Sequence, residues 1–241
     1  MSEKKVSEAI SYRRSVRIFD EDKEIDPQVV KSCITQATLA PNSSNLQLWE
    51  FYHITSYASL KEIAAACFNQ PAARTAKQLV IPVVRKDLWE KRIASNVAFI
   101  KSEQKNSEEQ EAKKTKGAID YYQKILPKIY GIGNLRGWIN HFTTLLKGVN
   151  KVVYRQVKKS DMRVVAHKST ALAAQNFLIS MAGRGYDTCT MEGFDSLRIK
   201  KILNLPPATE ISMIIGCGIR TEKGIYGPQF RVPFDEVYFE K

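Results

Sequence analysis

One continuous apolar run and one near-apolar run set the terms for the fold: Leu79-Val80-Ile81-Pro82-Val83-Val84 and Ile211 to Ile219. Neither has a polar face, and each is short for a helix. Both therefore read as strands buried on two sides. Pro82 has no N–H to donate, which places the first run at a sheet edge or a bulge. Thr188 to Met191 is a further short extended piece, and Glu50 to Ile54 is a strand in which His53 is an ordinary member. The rest of the chain carries helical periodicity, so the expected class is α+β or α/β with a small central sheet.

The helix signals are specific. Val6, Ala9, Ile10 and Arg13 share one helical face. Asp26-Pro27 is an N-cap followed by proline at the first helical position, and Val29, Val30, Cys33, Ile34 and Ala37 form the apolar stripe behind it. Ala40-Pro41 stops that helix. Leu60 to Phe68 is helical until Asn69-Gln70-Pro71 breaks it. Ser169 to Gly185 is a helix ended by glycine, and Asp195 caps Ser196 to Leu205, which Pro206-Pro207 stops. Tyr121 to Val153 reads as two helices joined at Gly131-Ile132-Gly133. Asp235 to Phe239 reads as a final edge strand. No internal repeat is present.

Composition narrows the function classes. With 241 residues, 44% of them hydrophobic, the chain can bury a core as one domain. Its longest near-apolar run is too short to span a bilayer. The charged start Met1-Ser2-Glu3-Lys4-Lys5 does not fit a secretory signal, so a cytoplasmic protein is expected. Cys33, Cys67, Cys189 and Cys217 lie apart among apolar neighbours and read as reduced core thiols. The three histidines show no ligand spacing, so no metal site is expected. Much of the net charge of +12 sits in residues 101–168, with 15 Lys and Arg against 6 Asp and Glu. That window reads first as a solvated helical face, next as a lid attracting an anionic substrate, and last as a patch for nucleic acid or an acidic membrane.

Two polar stretches stand out as candidate sites. Ser11-Tyr12-Arg13-Arg14-Ser15-Val16-Arg17 holds three guanidiniums in five residues, and a dense anion offsets their mutual repulsion. Pro41-Asn42-Ser43-Ser44-Asn45 is a run of turn formers rich in amides and hydroxyls.

Taken together, several segments resemble the FMN-dependent nitroreductase family. Arg13-Arg14-Ser15-Val16-Arg17-Ile18-Phe19 is similar to its N-terminal signature. Ala40 to Phe51 is similar to its second signature, with Leu48 in place of the usual Pro and Asn42 in place of the usual Ser. Glu192-Gly193-Phe194-Asp195 resembles its turn, and Arg231 stands where the family carries a late arginine, behind Gln229 rather than Lys. The resemblance covers roughly residues 6–84 and 169–239 and gives nothing usable for 101–168. It implies a nitroreductase-like α+β fold over 1–241, with a small mixed or antiparallel sheet among helices and a basic insertion or lid at about 101–168. It also implies an interlocked homodimer with FMN at the subunit interface.

The resemblance assigns Arg13 and Arg231 to the phosphate, with Arg14 and Ser15 beside them and Arg17 at the pyrimidine edge. Pro41, Asn42, Ser43 and Asn45 come from the other subunit. Asn69 or Gln70 reaches the ribityl or pyrimidine side, and the turn Met191, Glu192, Gly193 supplies a backbone N–H near N5. The implied activity is hydride transfer from NAD(P)H to a nitroaromatic, quinone or similar acceptor with ping-pong kinetics. No protein acid or base is needed, because the flavin carries the chemistry. The alternatives are a dehalogenase or flavin-fragmenting relative, or a non-catalytic basic protein binding nucleic acid or a membrane surface. The leading reading expects neither of those two partners.

Overall fold

The computed structural model describes residues 3–103, 109–131 and 133–241. The chain opens with α1 (Val6–Tyr12) and α2 (Pro27–Ala37), then β1 (Trp49–Ile54), α3 (Tyr57–Ala66), α4 (Pro71–Arg74) and β2 (Gln78–Val84). Next come α5 (Trp89–Glu103), α6 (Glu109–Asp120), one π-helical turn (Tyr121–Ile125), α7 (Leu126–Tyr130) and α8 (Asn134–Lys147). The long α9 (Lys159–Gly183) leads into β3 (Asp187–Met191), α10 (Ser196–Ile202), β4 (Glu210–Ile211) and β5 (Ile214–Gly218).

The strands form one antiparallel sheet in the order β1-β2-β5-β3, with β4 also on β2. Helices cover both faces, which makes the fold α+β. Leu79, Ile81 and Val83 point into one layer with Ile63, Cys67 and Ile199 from α3 and α10. Val80 points the other way, into a layer with Cys33, Phe177 and Met181 from α2 and α9. That alternation explains why β2 is apolar at every position but one: both faces are core.

Capping follows the sequence. The Asp26 carboxylate accepts from Gln28 N–H (2.8 Å), and Asp195 accepts from Leu197 and Arg198 N–H. Other expectations are corrected. β2 is central, which excludes the edge that Pro82 suggested, while the bulge it also suggested lies in the strand opposite, where the register shifts by one residue between β4 and β5. Pro82 pairs with Phe51, and its carbonyl accepts from Ser212 N–H on the opposite side. The missing N–H therefore faces the gap where the partner changes from β5 to β4, and no ladder bond is lost. The run Ile211 to Ile219 is split there into two strands. The helix read as Leu60 to Phe68 starts earlier, because Ser56 accepts from Ser59 N–H as its cap. The helix read from Ser169 begins at Lys159, since Met162 and Ala166 carry its buried stripe back by two turns. The expected last strand does not form. Phe234–Glu236 is a 3-10 turn, and residues 227–241 are exposed throughout. This tail finds no sheet edge in its own chain.

Phe19 fixes the arginine stretch to the sheet. It is fully buried, its N–H donates to Thr75 Oγ1 (3.0 Å), and its ring lies against Gly216 and Gly218. A Cβ built on Gly218 would stand 2.7 Å from that ring. Gly218→Ala should destabilise the protein by about 1–3 kcal/mol through this overpacking, read as a lower urea midpoint with unchanged slope.

Candidate functional site

The sheet positions two groups of polar residues. The first lies beside β3. Ser15 bridges Thr188 on the free edge of that strand, Val16 N–H donates to Thr188 O (3.1 Å), and Arg17 N–H donates to Gly224 O (2.7 Å). Val16 and Phe19 are buried while Arg13, Arg14 and Arg17 remain half-exposed, so the apolar members anchor a stretch whose cations face out. Arg14 donates to Gly227 O (2.6 Å) and so ties down the start of the tail. Among the described residues, none of Arg13, Arg14, Arg17 and Arg231 has a carboxylate within 4.0 Å. Unpaired guanidiniums gathered in this way suit an anionic ligand.

The turn after β3 completes this group. Met191 is buried, Glu192 and Gly193 are exposed, and Gly193 N–H has no acceptor among the described residues. Gln70 holds the turn from the other side: its Nε2 donates to Gly193 O (2.8 Å) and Cys67 O (3.2 Å). Asn69 instead lines a cavity of about 610 Å³ with Tyr57, Arg74 and Lys77. Of the two amides, Gln70 is therefore the one at the turn.

The second group precedes β1. Asn42 uses its side chain to fold the loop, accepting from Gln47 N–H (2.8 Å) and donating to Ala40 O (3.3 Å). Ser44, Asn45 and Gln47 take left-handed backbone angles (φ 54°, 50° and 46°) without being glycine. Such conformations persist where surroundings enforce them, and here α5 and the π turn do so. Asn96 donates to Asn45 O (3.0 Å) and accepts from Asn45 Nδ2 (3.0 Å). Tyr122 donates to Ser44 O (2.9 Å), and the Tyr121 and Ser44 hydroxyls lie 2.7 Å apart. Burial pushes the Tyr122 phenol up, as does Tyr121 beside it, so it stays a protonated donor near neutral pH. Sequence reasoning missed Asn96, Tyr121 and Tyr122: they lie outside the two signatures, and only their contacts give them a role. Pro41, Ser43 and Asn45 are exposed on this loop.

The two groups lie near the same end of the sheet but at opposite edges. β1 begins just after Asn45, and Gly193 follows the last residue of β3. From β1 to the Ser15 segment there are four strand spacings, roughly 19 Å. Arg231 lies in the exposed tail, four residues past the Gly227 that Arg14 holds, and donates to Phe230 O (2.6 Å). Among the described residues no cluster of His, Cys, Asp or Glu could hold a metal ion.

Cys189 lies next to Arg17 but is no thiolate. Burial raises its pKa, and the nearby Arg17 charge only partly offsets this. Burial also lifts Cys33 and Cys67 to about 11 and pushes Cys217 up. With pKa values above the ordinary thiol range, all four remain protonated through pH 8. Iodoacetamide at pH 7.5 should label none of them in the native protein and all four after unfolding. Prompt native labelling of Cys189 would contradict this account.

The sequence model of the Nitroreductase family matches residues 10–219. Protein DrgA of Synechocystis is 25% identical over 215 residues, covering 89% of this chain and 84% of its own. YodC of Bacillus subtilis, whose name designates it a candidate NAD(P)H nitroreductase, is 24% identical over 88% of this chain and 87% of its own. A candidate nitroreductase from Exiguobacterium sibiricum, solved in complex with FMN, superposes with a TM-score of 0.67 at 18% identity. That match covers 100% of this chain and 99% of the other.

Proposed function

The chain belongs to the nitroreductase family of oxidoreductases, and from that premise we propose that it is an FMN enzyme reducing electron-poor aromatic acceptors with NAD(P)H. The observation that carries this reading is the set of guanidiniums without carboxylate partners, Arg13, Arg14 and Arg17, beside the free Gly193 N–H. A phosphomonoester and an electron-rich ring edge need cations and backbone donors of that kind. The FMN complex of the Exiguobacterium relative and the NAD(P)H in the name of YodC support the cofactor and the donor.

Bound FMN would supply the hydride-accepting and hydride-donating ring position, so the protein need contribute no nucleophile, acid or base. Arg13 and Arg231 would bind the phosphate, with Arg14 and Ser15 alongside. Arg17 would face the pyrimidine edge and favour negative charge there. Gly193 would donate its N–H to the ring, in a turn braced by Gln70, with Met191 and Glu192 shaping its approach. Pro41, Asn42, Ser43 and Asn45 would wall the other side.

One chain holds these walls at opposite sheet edges, which favours a homodimer in which each cofactor takes one wall from each subunit. The apolar residues of the exposed tail, including Phe230 and Phe234, would then pack on the partner. A ring face open to solvent would admit donor and acceptor in turn, giving ping-pong kinetics.

The visible spectrum of the purified protein tests the reading. Flavin bands that bleach anaerobically on NADPH addition are expected. A colourless protein that takes up no FMN would overturn it. Arg13→Ala with Arg231→Ala should weaken FMN binding about a hundredfold, as expected for two lost charge-assisted contacts. Arg17→Ala should lower the flavin midpoint potential.

A further inference from the structure

We propose that α8 seats this protein on an anionic lipid surface, a role separate from the flavin site. Leu135, Trp138, Ile139, Phe142 and Leu146 recur at helical spacing and form one apolar stripe. All five are exposed, Trp138 to 55%, Phe142 to 61% and Leu146 to 77%. The opposite side of the helix is the covered one: Gly137 is buried there, and Asn140 and Thr144 are half-buried. A surface helix of a globular protein normally turns its apolar stripe inward. α8 does the reverse, so it departs from the solvated face expected of this region.

The charge around the stripe identifies what covers it. Between residues 121 and 160 the chain has eight Lys and Arg and no Asp or Glu. Arg136 and Lys147 fall on the polar flank of the helix, and Lys158 Nζ lies 4.7 Å over the Trp138 ring. Aromatic and aliphatic side chains on one face, with cations on the flank, are the pattern of a helix lying in the bilayer interface. The long stems of Lys and Arg reach from such a helix to phosphate headgroups. At 14 residues α8 is about 21 Å long, and among the described residues no helix is long and apolar enough to cross a membrane.

Two other occupants fit less well. A twofold axis through the stripe itself would set its flanking cations against their own copies. Nucleic acid would match the charge and leave the stripe uncovered.

Vesicle flotation with the full-length, flavin-loaded protein tests the proposal. Phosphatidylcholine vesicles are compared with vesicles containing about one-third phosphatidylglycerol. The bound fraction should be about tenfold higher on the anionic vesicles and should fall as salt is raised. Tryptophan emission should shift to the blue on binding, and Trp138→Phe should abolish the shift while binding persists. Phe142→Gln with Leu146→Gln should cut binding about tenfold, with the flavin spectrum and circular dichroism unchanged. No binding to anionic vesicles at low salt would overturn the proposal. So would dissociation of a two-copy species by Phe142→Gln/Leu146→Gln, which would assign the stripe to a second copy. Salt-sensitive retention on DNA that the same double variant leaves intact, without vesicle binding, would assign the patch to nucleic acid.

Discussion

The buried carboxylate of Asp187 is the contact on which the arrangement of the first wall depends. It opens β3 and is 3% exposed. It accepts from Arg220 N–H (2.8 Å) and Arg220 Nε (2.8 Å), and Arg220 Nη2 is also on it. The same guanidinium donates to Tyr12 O (3.3 Å) and lies 4.4 Å over the Tyr12 ring. One cation thus joins the end of α1, the start of β3 and the segment just after β5. The arginine stretch begins at the next residue, Arg13, and cannot move far from β3 while that junction holds. Leaving Asp187 without its partner would strand a desolvated charge, at a cost of about 3–5 kcal/mol.

Interleaving does the rest. In the run from Arg13 to Phe19, Val16 and Phe19 go into the core and the arginines stay outside. Three like charges are thereby held close by packing rather than by counter-charges from the protein. The second wall is also held by its surroundings. Ser44 and Gln47 hold left-handed backbone angles that cost energy, while Asn96 and Tyr122 supply the compensating hydrogen bonds to Ser44 and Asn45. Phe68 and Asn69 (φ 59° and 51°) repeat the device just before Gln70. Of the six non-glycine residues with positive φ among those described, five flank the proposed site.

Much of this was legible in the sequence, for identifiable reasons. Helix starts at Asp26-Pro27 and Asp195 are written in local side-chain chemistry, and the structure keeps both. The apolar runs correctly marked buried strands, because a strand covered on both faces has no polar alternation to show. What escaped was set by non-local contacts. Pro82 left an edge and a bulge both open, since only the register reveals that its missing N–H faces a one-residue shift between two partners. Ile211 to Ile219 looked continuous because the division into β4 and β5 lies in pairing, not in composition. Asp235 to Phe239 carries the strand-forming residues Val237, Tyr238 and Phe239 but has no neighbour in its own chain. The arginine stretch runs beside β3 and the Gly193 turn follows that strand, whereas Arg231 lies in the exposed tail. Asn96 and Tyr122 carry no local mark of their role.

The separation of the two walls has a consequence for how such a protein behaves on dilution. With half of each cofactor site on each subunit, as proposed, FMN is a ligand of the pair and not of the single chain. Binding and association then form one linked equilibrium, so each tightens the other by mass action. Apparent flavin affinity becomes a property of protein concentration, and colour is lost at dilutions where the pair comes apart. A measured dissociation constant for the cofactor would carry meaning only with the subunit concentration stated beside it.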